Sequence, residues 1–164
     1  MGIFSRKKPV TAYRHPGLYL NTVDGKGRGV FCAAALKAGD LLEVAPIMIF
    51  GEADTALLGQ TLLADYCFNG AILPADIAAR AGLAHPAKSF CLVMGLASYC
   101  NHLSQPNARR GIENEYHTAF YVLSAARDIA PDTEICIDYG TGWFIAKKLG
   151  ELAKMRDMQK KTQD

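Results

Sequence analysis

One short stretch of this chain sets side by side two polar side chains that suit ligand binding. Asn101 and His102 bring an amide next to an imidazole after an apolar run, and Pro106-Asn107 follows as a rigid turn. Such a pair can hold a ligand, but it can equally cap a turn or satisfy buried backbone groups. A metal site is not favoured, because no second His or Cys stands at ligand spacing.

A glycine loop lies far upstream of that pair. Gly25, Gly27 and Gly29 alternate at the entry to a strand, where they would let the backbone come close to a ligand. A glycine-rich hairpin turn is the plainer interpretation. A dinucleotide site is disfavoured, because the spacing is not G-x-G-x-x-G and a strand, rather than a helix, follows Gly29.

The late segment Asp138-Tyr139-Gly140 adds a phenol near a strand end, where a tyrosine usually packs in the core or at its rim. In this order, the three stretches resemble those of the SET-domain protein lysine methyltransferases, in the form of a small stand-alone domain without zinc segments. The resemblance runs from about Gly17 to Gly140. It implies transfer of a methyl group from S-adenosyl-L-methionine to the side-chain nitrogen of a lysine in a protein or peptide. It also implies small curved sheets whose last strand threads a loop as a pseudoknot.

The same resemblance implies roles for individual residues. Tyr139 is expected beside the transferring methyl, and Tyr66 is a second catalytic candidate whose alternative is simple packing. Trp143 and Phe144 are expected near the lysine channel or the adenine, or as anchors of the last helix. The expected cofactor-binding residues are Lys26, Gly27, Arg28, Asn101, His102, Tyr139 and Trp143. The expected substrate-channel residues are Ile137, Trp143 and Phe144, and no metal ligand is expected.

Several positions depart from the family pattern. Ser98 stands where an arginine is usual, Leu103 replaces a serine, and Ser104 replaces a cysteine. These changes leave open a catalytically silent SET-like module that binds cofactor or peptide. An unrelated small β-rich domain whose three motifs coincide by chance is a separate alternative. Without zinc segments, the lysine channel needs another wall, and we expect the C-terminal tail to supply it, from the same chain or from a second copy in a homodimer.

Size and composition bound the class of protein. With 164 residues, 50% of them apolar and 21% charged, the chain fits one soluble globular domain. A net charge of +2 is too small to indicate direct nucleic-acid binding. Five scattered cysteines without a C-x-x-C pair favour buried reduced thiols, and therefore a cytoplasmic location, over disulfides or zinc. No apolar run has membrane-spanning length, so no membrane association is expected.

The periodicity predicts a mostly β, α+β domain with short inserted helices and a C-terminal helix. We expect a loose basic segment over residues 1–15, the SET domain over 16–140 and an amphipathic helix over 141–164, with its apolar stripe beginning at Trp143. The predicted strands span residues 17–23, 29–36, 41–50, 117–126 and 134–139, with a turn at 37–40 joining two of them. The predicted inserted helices are one over residues 54–65 with Asp54 at its N-cap, and one opened by Pro74 and closed by Gly82.

Overall fold

The computed structural model describes residues 11–115 and 118–144. Within those ranges the strands are β1 (Tyr13–Arg14), β2 (Leu18–Val23), β3 (Gly27–Cys32), β4 (Leu41–Phe50), β5 (Cys67–Asn69), β6 (Phe90–Val93), β7 (Asn101–His102), β8 (Ala108–Glu115), β9 (Thr118–Ala125) and β10 (Thr133–Ile137). The α-helices are α1 (Glu52–Leu58) and α2 (Ala75–Arg80), and residues 141–144 are helical. Single 3₁₀ turns span Leu62–Tyr66, Gly70–Ile72, Pro86–Lys88 and Leu96–Tyr99.

The strands form two curled sheets. The larger has the order β5-β6-β4-β9-β8 with β1 added on β4, and the smaller has the order β2-β3-β10-β7. In the smaller sheet β10 runs antiparallel to β3 and parallel to β7. The predicted class, a mostly β domain with short helices, is confirmed; the threaded pseudoknot stays a prediction.

The core lies where the inner faces of the two sheets meet. Along β9, alternate residues Ala119, Tyr121, Leu123 and Ala125 are at most 4% exposed, which is the period of two expected of a strand with one buried face. Each large apolar side chain removed from water in this way contributes about 2 kcal/mol of transfer free energy.

The turn at residues 37–40 carries the chain between sheets. Gly39 has a φ of +93°, and Lys37 N donates to the Asp40 carboxylate at 2.7 Å. The strands on either side do not pair with each other: β3 pairs with β2 and β10, whereas β4 pairs with β1, β6 and β9. The first of them also ends at Cys32 rather than at residue 36, because Leu36 instead forms an isolated bridge with Ile129.

The first predicted helix was wrong in its bounds. It begins at Glu52, with Gly51 rather than Asp54 at the N-cap, and ends at Leu58. A 3₁₀ turn follows, because the Thr61 hydroxyl accepts from Leu63 N at 3.2 Å and starts a new turn. The second predicted helix is confirmed: Pro74 is the N-cap of α2, and Gly82 follows it with a φ of +70°.

The N-terminal end differs from expectation where it is described, whereas the C-terminal end does not. Tyr13 and Arg14, placed in the loose lead-in, pair with Val44 and Glu43 as β1. The last helix begins at residue 141, where the amphipathic C-terminal helix was expected to begin. The rest of the basic lead-in and the tail beyond Phe144 lie outside the described residues.

Candidate active site

The parallel contact between β7 and β10 brings two of the sequence motifs together. Cys136 is level with Asn101 and Ile137 with His102, and Leu103 N donates to the Ile137 carbonyl at 3.0 Å. The chain then leaves β10 and passes directly to Tyr139. The Asn-His pair and the phenol therefore share one end of the smaller sheet.

A buried amide holds this arrangement in place. Asn107, 4% exposed, donates from Nδ2 to the Glu134 carbonyl at 2.7 Å, and its Oδ1 accepts from Cys136 N at 2.8 Å. Both bonds go to the β10 backbone, so the turn after the Asn-His pair is fixed to the strand that leads to Tyr139. Such doubly bonded buried amides define a single geometry, because leaving either partner unpaired is costly.

The glycine loop meets the Asn-His pair through Glu134. Asn101 Nδ2 donates to the Arg28 carbonyl at 3.2 Å and to Glu134 Oε1 at 2.7 Å. Lys26 Nζ lies 3.6 Å from Glu134 Oε2. A Cβ at Gly29 would stand 2.7 Å from that same carboxylate, so only glycine leaves room for it. We call Asn101, Asn107 and Glu134 the polar junction.

The glycine loop is also the hairpin turn that its spacing suggested. Gly25 and Gly27 have φ values of +69° and +81°, and Lys26 N donates to the Val23 carbonyl at 3.1 Å. A Cβ at either glycine would meet nothing within 4 Å, so these two glycines are required by backbone conformation rather than by crowding. The turn holds Lys26 and Arg28 beside the polar junction.

Tyr139 contacts the Asn-His segment through both its hydroxyl and its backbone. Its hydroxyl donates to the Cys100 carbonyl at 2.8 Å, and its N–H donates to His102 Nδ1 at 3.2 Å. Burial, reinforced by the nearby Cys100 thiol, raises the pKa of Tyr139 to about 12. The phenol is therefore neutral at physiological pH, with its hydrogen directed at a carbonyl and its oxygen lone pairs left to face a ligand.

Two aromatic side chains from the last helix pack against Tyr139 and His102. The Trp143 ring lies 4.8 Å from that of Tyr139, and the Phe144 ring lies 4.8 Å from that of His102. Trp143 and Phe144 also touch edge to face at 5.0 Å. The start of the last helix is thus packed against Tyr139 and His102. This packing fits both the predicted channel role of Trp143 and Phe144 and the alternative that they anchor the helix, and contact with cofactor or substrate stays a prediction.

A second aromatic pair faces the glycine loop. The rings of Tyr66 and Tyr99 are 5.2 Å apart, and the Arg28 guanidinium lies 4.9 Å from the centre of Tyr99. Arg28 Nη2 also donates to the Tyr66 hydroxyl at 3.2 Å. Tyr66 therefore joins the site through Arg28. We call Tyr66, Tyr99, Trp143 and Phe144 the aromatic rim.

Ile137 has a different environment from the one expected of a channel wall. It is 1% exposed and belongs to the main apolar cluster, level with His102 on the neighbouring strand. Its predicted contact with substrate stays a prediction. In the structure its side chain belongs to the apolar core next to the Asn-His pair.

Three supporting residues were not found from sequence. Glu43 is 1% exposed and accepts from Leu96 N at 3.0 Å and Ala97 N at 2.7 Å, which fixes the 3₁₀ turn before Asn101. Glu134 and Tyr99, described above, are the other two. A charged residue inside the apolar strand β4 was the one available signal for Glu43, because a buried carboxylate requires partners. The partners themselves come from distant segments.

Comparisons with known proteins agree with this geometry. Residues 27–140 match the sequence profile of the SET domain, which is more than half of the chain. The chain belongs to the SET-domain family of protein lysine methyltransferases. A Schizosaccharomyces pombe protein named histone-lysine N-methyltransferase, H3 lysine-37 specific, is 30% identical over 131 residues, covering 77% of this SET-domain chain and 76% of the relative.

A solved structure shows the same fold. The crystal structure of a Plasmodium falciparum protein assigned as a histone methyltransferase superposes with a TM-score of 0.54 at 21% identity. The match covers 79% of this SET-domain chain and 98% of the other chain. No helix in the described ranges is long and apolar enough to cross a membrane. Among the same residues, no group of His, Cys, Asp and Glu side chains is placed to hold a metal ion.

Proposed function

We propose that this SET-domain chain transfers a methyl group from S-adenosylmethionine to the side-chain nitrogen of a lysine in a protein. The observation that carries the proposal is the position of Tyr139, whose hydroxyl is bonded to the Cys100 carbonyl directly before the Asn-His pair. Family membership supports lysine methylation in general. The assignment of the cofactor and of each residue's role is our own.

The residues beside the glycine loop fit S-adenosylmethionine chemically. Its amino-acid end carries a carboxylate and an ammonium, and Lys26 offers a cation while Asn101 Oδ1 offers an acceptor. The exposed Arg28 guanidinium is a second cation on the same loop, held over the Tyr99 ring. When bound, this group supplies an activated methyl on a positively charged sulfur.

The chain's own contribution is positioning and electrostatics. Methyl transfer is an in-line displacement in which positive charge moves from sulfur to nitrogen, so fixed dipoles matter more than a strong base. The Tyr139 oxygen and the Cys100 carbonyl present lone pairs to that charge. With its pKa raised to about 12, Tyr139 does not take the lysine proton at neutral pH. The aromatic rings around it favour a neutral amine, because an apolar site penalises the ammonium form.

Labelled methyl transfer tests the proposal directly. The purified chain would be incubated with methyl-labelled S-adenosylmethionine and either core histones or a cell lysate, followed by mass spectrometry of labelled lysines. Histones are a rational first substrate because the Schizosaccharomyces pombe relative is named for histone H3. We expect labelled lysine with the wild type and almost none with Tyr139→Phe. Tyr19→Phe is the matched control, since Tyr19 lies on β2 and its hydroxyl donates to the Asp132 carboxylate at 2.8 Å rather than to a site residue.

The alternative of a catalytically silent module predicts a different result in the methyl-transfer assay. It rests on the departures at Ser98, Leu103 and Ser104 from the family pattern. In the structure the Ser98 hydroxyl donates to the Val93 carbonyl at 2.6 Å, so the substitution leaves a well-bonded turn. Calorimetry that shows cofactor binding, together with no labelled lysine in histones or lysate, would favour that alternative.

Location and assembly are also proposals. The cysteines Cys32, Cys67, Cys91, Cys100 and Cys136 are all buried free thiols. Burial raises the pKa of Cys136 to about 11, which keeps the thiol protonated and unreactive. Such cysteines suit a reducing compartment such as the cytoplasm. The tail beyond Phe144, in this chain or in a second copy, is proposed to complete the lysine channel.

A further inference from the structure

Glu134 lies between two of the segments assigned to the cofactor, the glycine loop and the Asn-His pair. It is on β10, its side chain is 19% exposed, and its two carboxylate oxygens serve different partners. One oxygen accepts from Asn101 Nδ2 at 2.7 Å, and the other lies 3.6 Å from Lys26 Nζ. The glycine loop and the Asn-His pair are therefore bridged by a side chain that neither contains.

The bonds of Asn101 fix which way its amide points. A side-chain amide has two hydrogens on nitrogen and an acceptor oxygen. Both hydrogens of Asn101 are committed, one to the Arg28 carbonyl at 3.2 Å and one to Glu134. Carbonyl and carboxylate oxygens accept only, so the nitrogen must face them. Oδ1 is left as the atom that meets a ligand, and only a donor group can bind it.

Lys26 places a positive charge near the Asn101 side chain. Its ammonium is drawn to Glu134 Oε2, which keeps a cation next to an amide oxygen at the mouth of the glycine turn. An acceptor and a cation side by side complement a ligand group that carries an ammonium and a carboxylate together. A free amino-acid end is the chemical group that satisfies both.

Gly29 shows that the space for the carboxylate is built into the fold. A Cβ at this position would lie 2.7 Å from Glu134 Oε1 and 3.1 Å from Asn101 Nδ2. Glu134 also sits level with Phe31 in the β3–β10 pairing, so strand register sets its height. The carboxylate can occupy this position only because residue 29 has no side chain.

We propose that Glu134 is a positioning residue that sets the polarity of Asn101 and the location of Lys26, and so makes the site selective for the amino-acid end of its ligand. The identity of that ligand rests on the proposed function. The role of Glu134 in orienting Asn101 rests on the contacts of this chain alone.

A pair of ligands separates this role from a general loss of structure. S-adenosylhomocysteine carries the amino-acid end, whereas 5′-methylthioadenosine keeps the adenosine and lacks it. Calorimetry would measure the affinity for each ligand. We expect Glu134→Ala to weaken the binding of S-adenosylhomocysteine about tenfold or more, because a charge-assisted hydrogen bond is lost, and to leave the binding of 5′-methylthioadenosine unchanged. Glu134→Gln still accepts from Asn101 but cannot pair with Lys26, so its affinity for S-adenosylhomocysteine should fall between those of the wild type and Glu134→Ala. Asp128→Ala, in the exposed pair with Lys37, is the control.

Side-chain amide hydrogen exchange of Asn101 in the ligand-free protein provides a second measurement. We expect slow exchange in the wild type and Glu134→Gln, and fast exchange in Glu134→Ala. Equal weakening of both ligands, or unchanged exchange in Glu134→Ala, would overturn the role of Glu134. Failure of the wild type to bind either ligand would overturn the proposed function and ligand selectivity, while the exchange result would still decide how Asn101 is oriented.

Discussion

The polar junction and the aromatic rim face the same site but are held by different forces. In the polar junction, hydrogen bonds of 2.7–3.2 Å link three segments of the chain, which are the glycine loop, the stretch from Asn101 to Asn107, and β10. In the aromatic rim, ring centres lie about 5 Å apart and Phe144 is 44% exposed. Hydrogen bonds fix direction, whereas ring contacts fix shape and tolerate rotation. The site thus pairs a rigid side with an adaptable one. Tyr139 lies between them, because its hydroxyl bonds the Cys100 carbonyl next to Asn101 and its ring contacts Trp143.

The largest effect is expected where the two regions meet. Tyr139→Phe removes the hydroxyl that bonds the Cys100 carbonyl and should lower the methyl-transfer rate by about 100-fold or more, equivalent to about 3 kcal/mol of transition-state stabilisation. Single-turnover transfer to a lysine peptide would measure it, with Tyr19→Phe as the control. A rate within threefold of wild type would remove Tyr139 from the mechanism.

Breaking the polar junction should cost stability. Asn107→Ala leaves a buried carbonyl at Glu134 and a buried N–H at Cys136 without their partner, which should lower the free energy of unfolding by about 2–3 kcal/mol. Asn69→Ala is the matched control, because Asn69 makes the same two kinds of bond in an exposed turn and should lose less than about 1 kcal/mol. Urea titrations of both variants would compare them, and equal losses would show that burial of the junction is not what matters.

Breaking the aromatic rim should instead affect substrate more than stability. Phe144→Ala removes a half-exposed ring that touches His102, so the free energy of unfolding should fall by less than about 1 kcal/mol. If the rim contacts substrate, the KM for a lysine peptide should rise severalfold with kcat little changed. Met48→Ala, at a similarly exposed apolar side chain on β4, provides the comparison. An unchanged KM would assign Phe144 to packing alone.

The smallest effect is expected from the ionisation of Tyr139. Its folded pKa of about 12 lies above the ordinary value of 10.0, so the protonated phenol stabilises the fold. That contribution is fully present below pH 10 and is lost as the pH rises through 12. Between pH 7 and 10, any rise in rate should therefore follow deprotonation of the substrate amine. A break in the pH–rate profile near 10 that disappears in Tyr139→Phe would contradict this.

Sequence patterns predicted the strands that carry a clear apolar run or a regular alternation. Strand β4 was found at its exact bounds because it is a continuous apolar run, and β9 was found within one residue because its residues alternate between two faces. Strand β8 was missed, since Arg109, Arg110 and Gly111 have neither alternation nor strand preference, and its pairing with β9 supplies the conformation.

The residues of the candidate site were also predicted in part. Its motif residues were found by their order in the chain, which the family resemblance interprets. Their supports were not, because Glu43 and Glu134 act on backbone and side-chain groups far away in sequence. Local pattern carries no information on which distant N–H a carboxylate meets.

The parallel register of β7 and β10 has a consequence for biosynthesis. Strand β7, which carries the Asn-His pair, can form its pairing only after β10, which begins at residue 133, has been synthesised. One edge of β3 pairs with the same strand and is equally unpaired until then. Such long-range pairings are slow to close, because loop entropy must be overcome before they form. The candidate site is therefore among the last parts of the nascent chain to form, and a translation product halted before β10 would carry the glycine loop and the Asn-His pair but neither Tyr139 nor the strand that joins them.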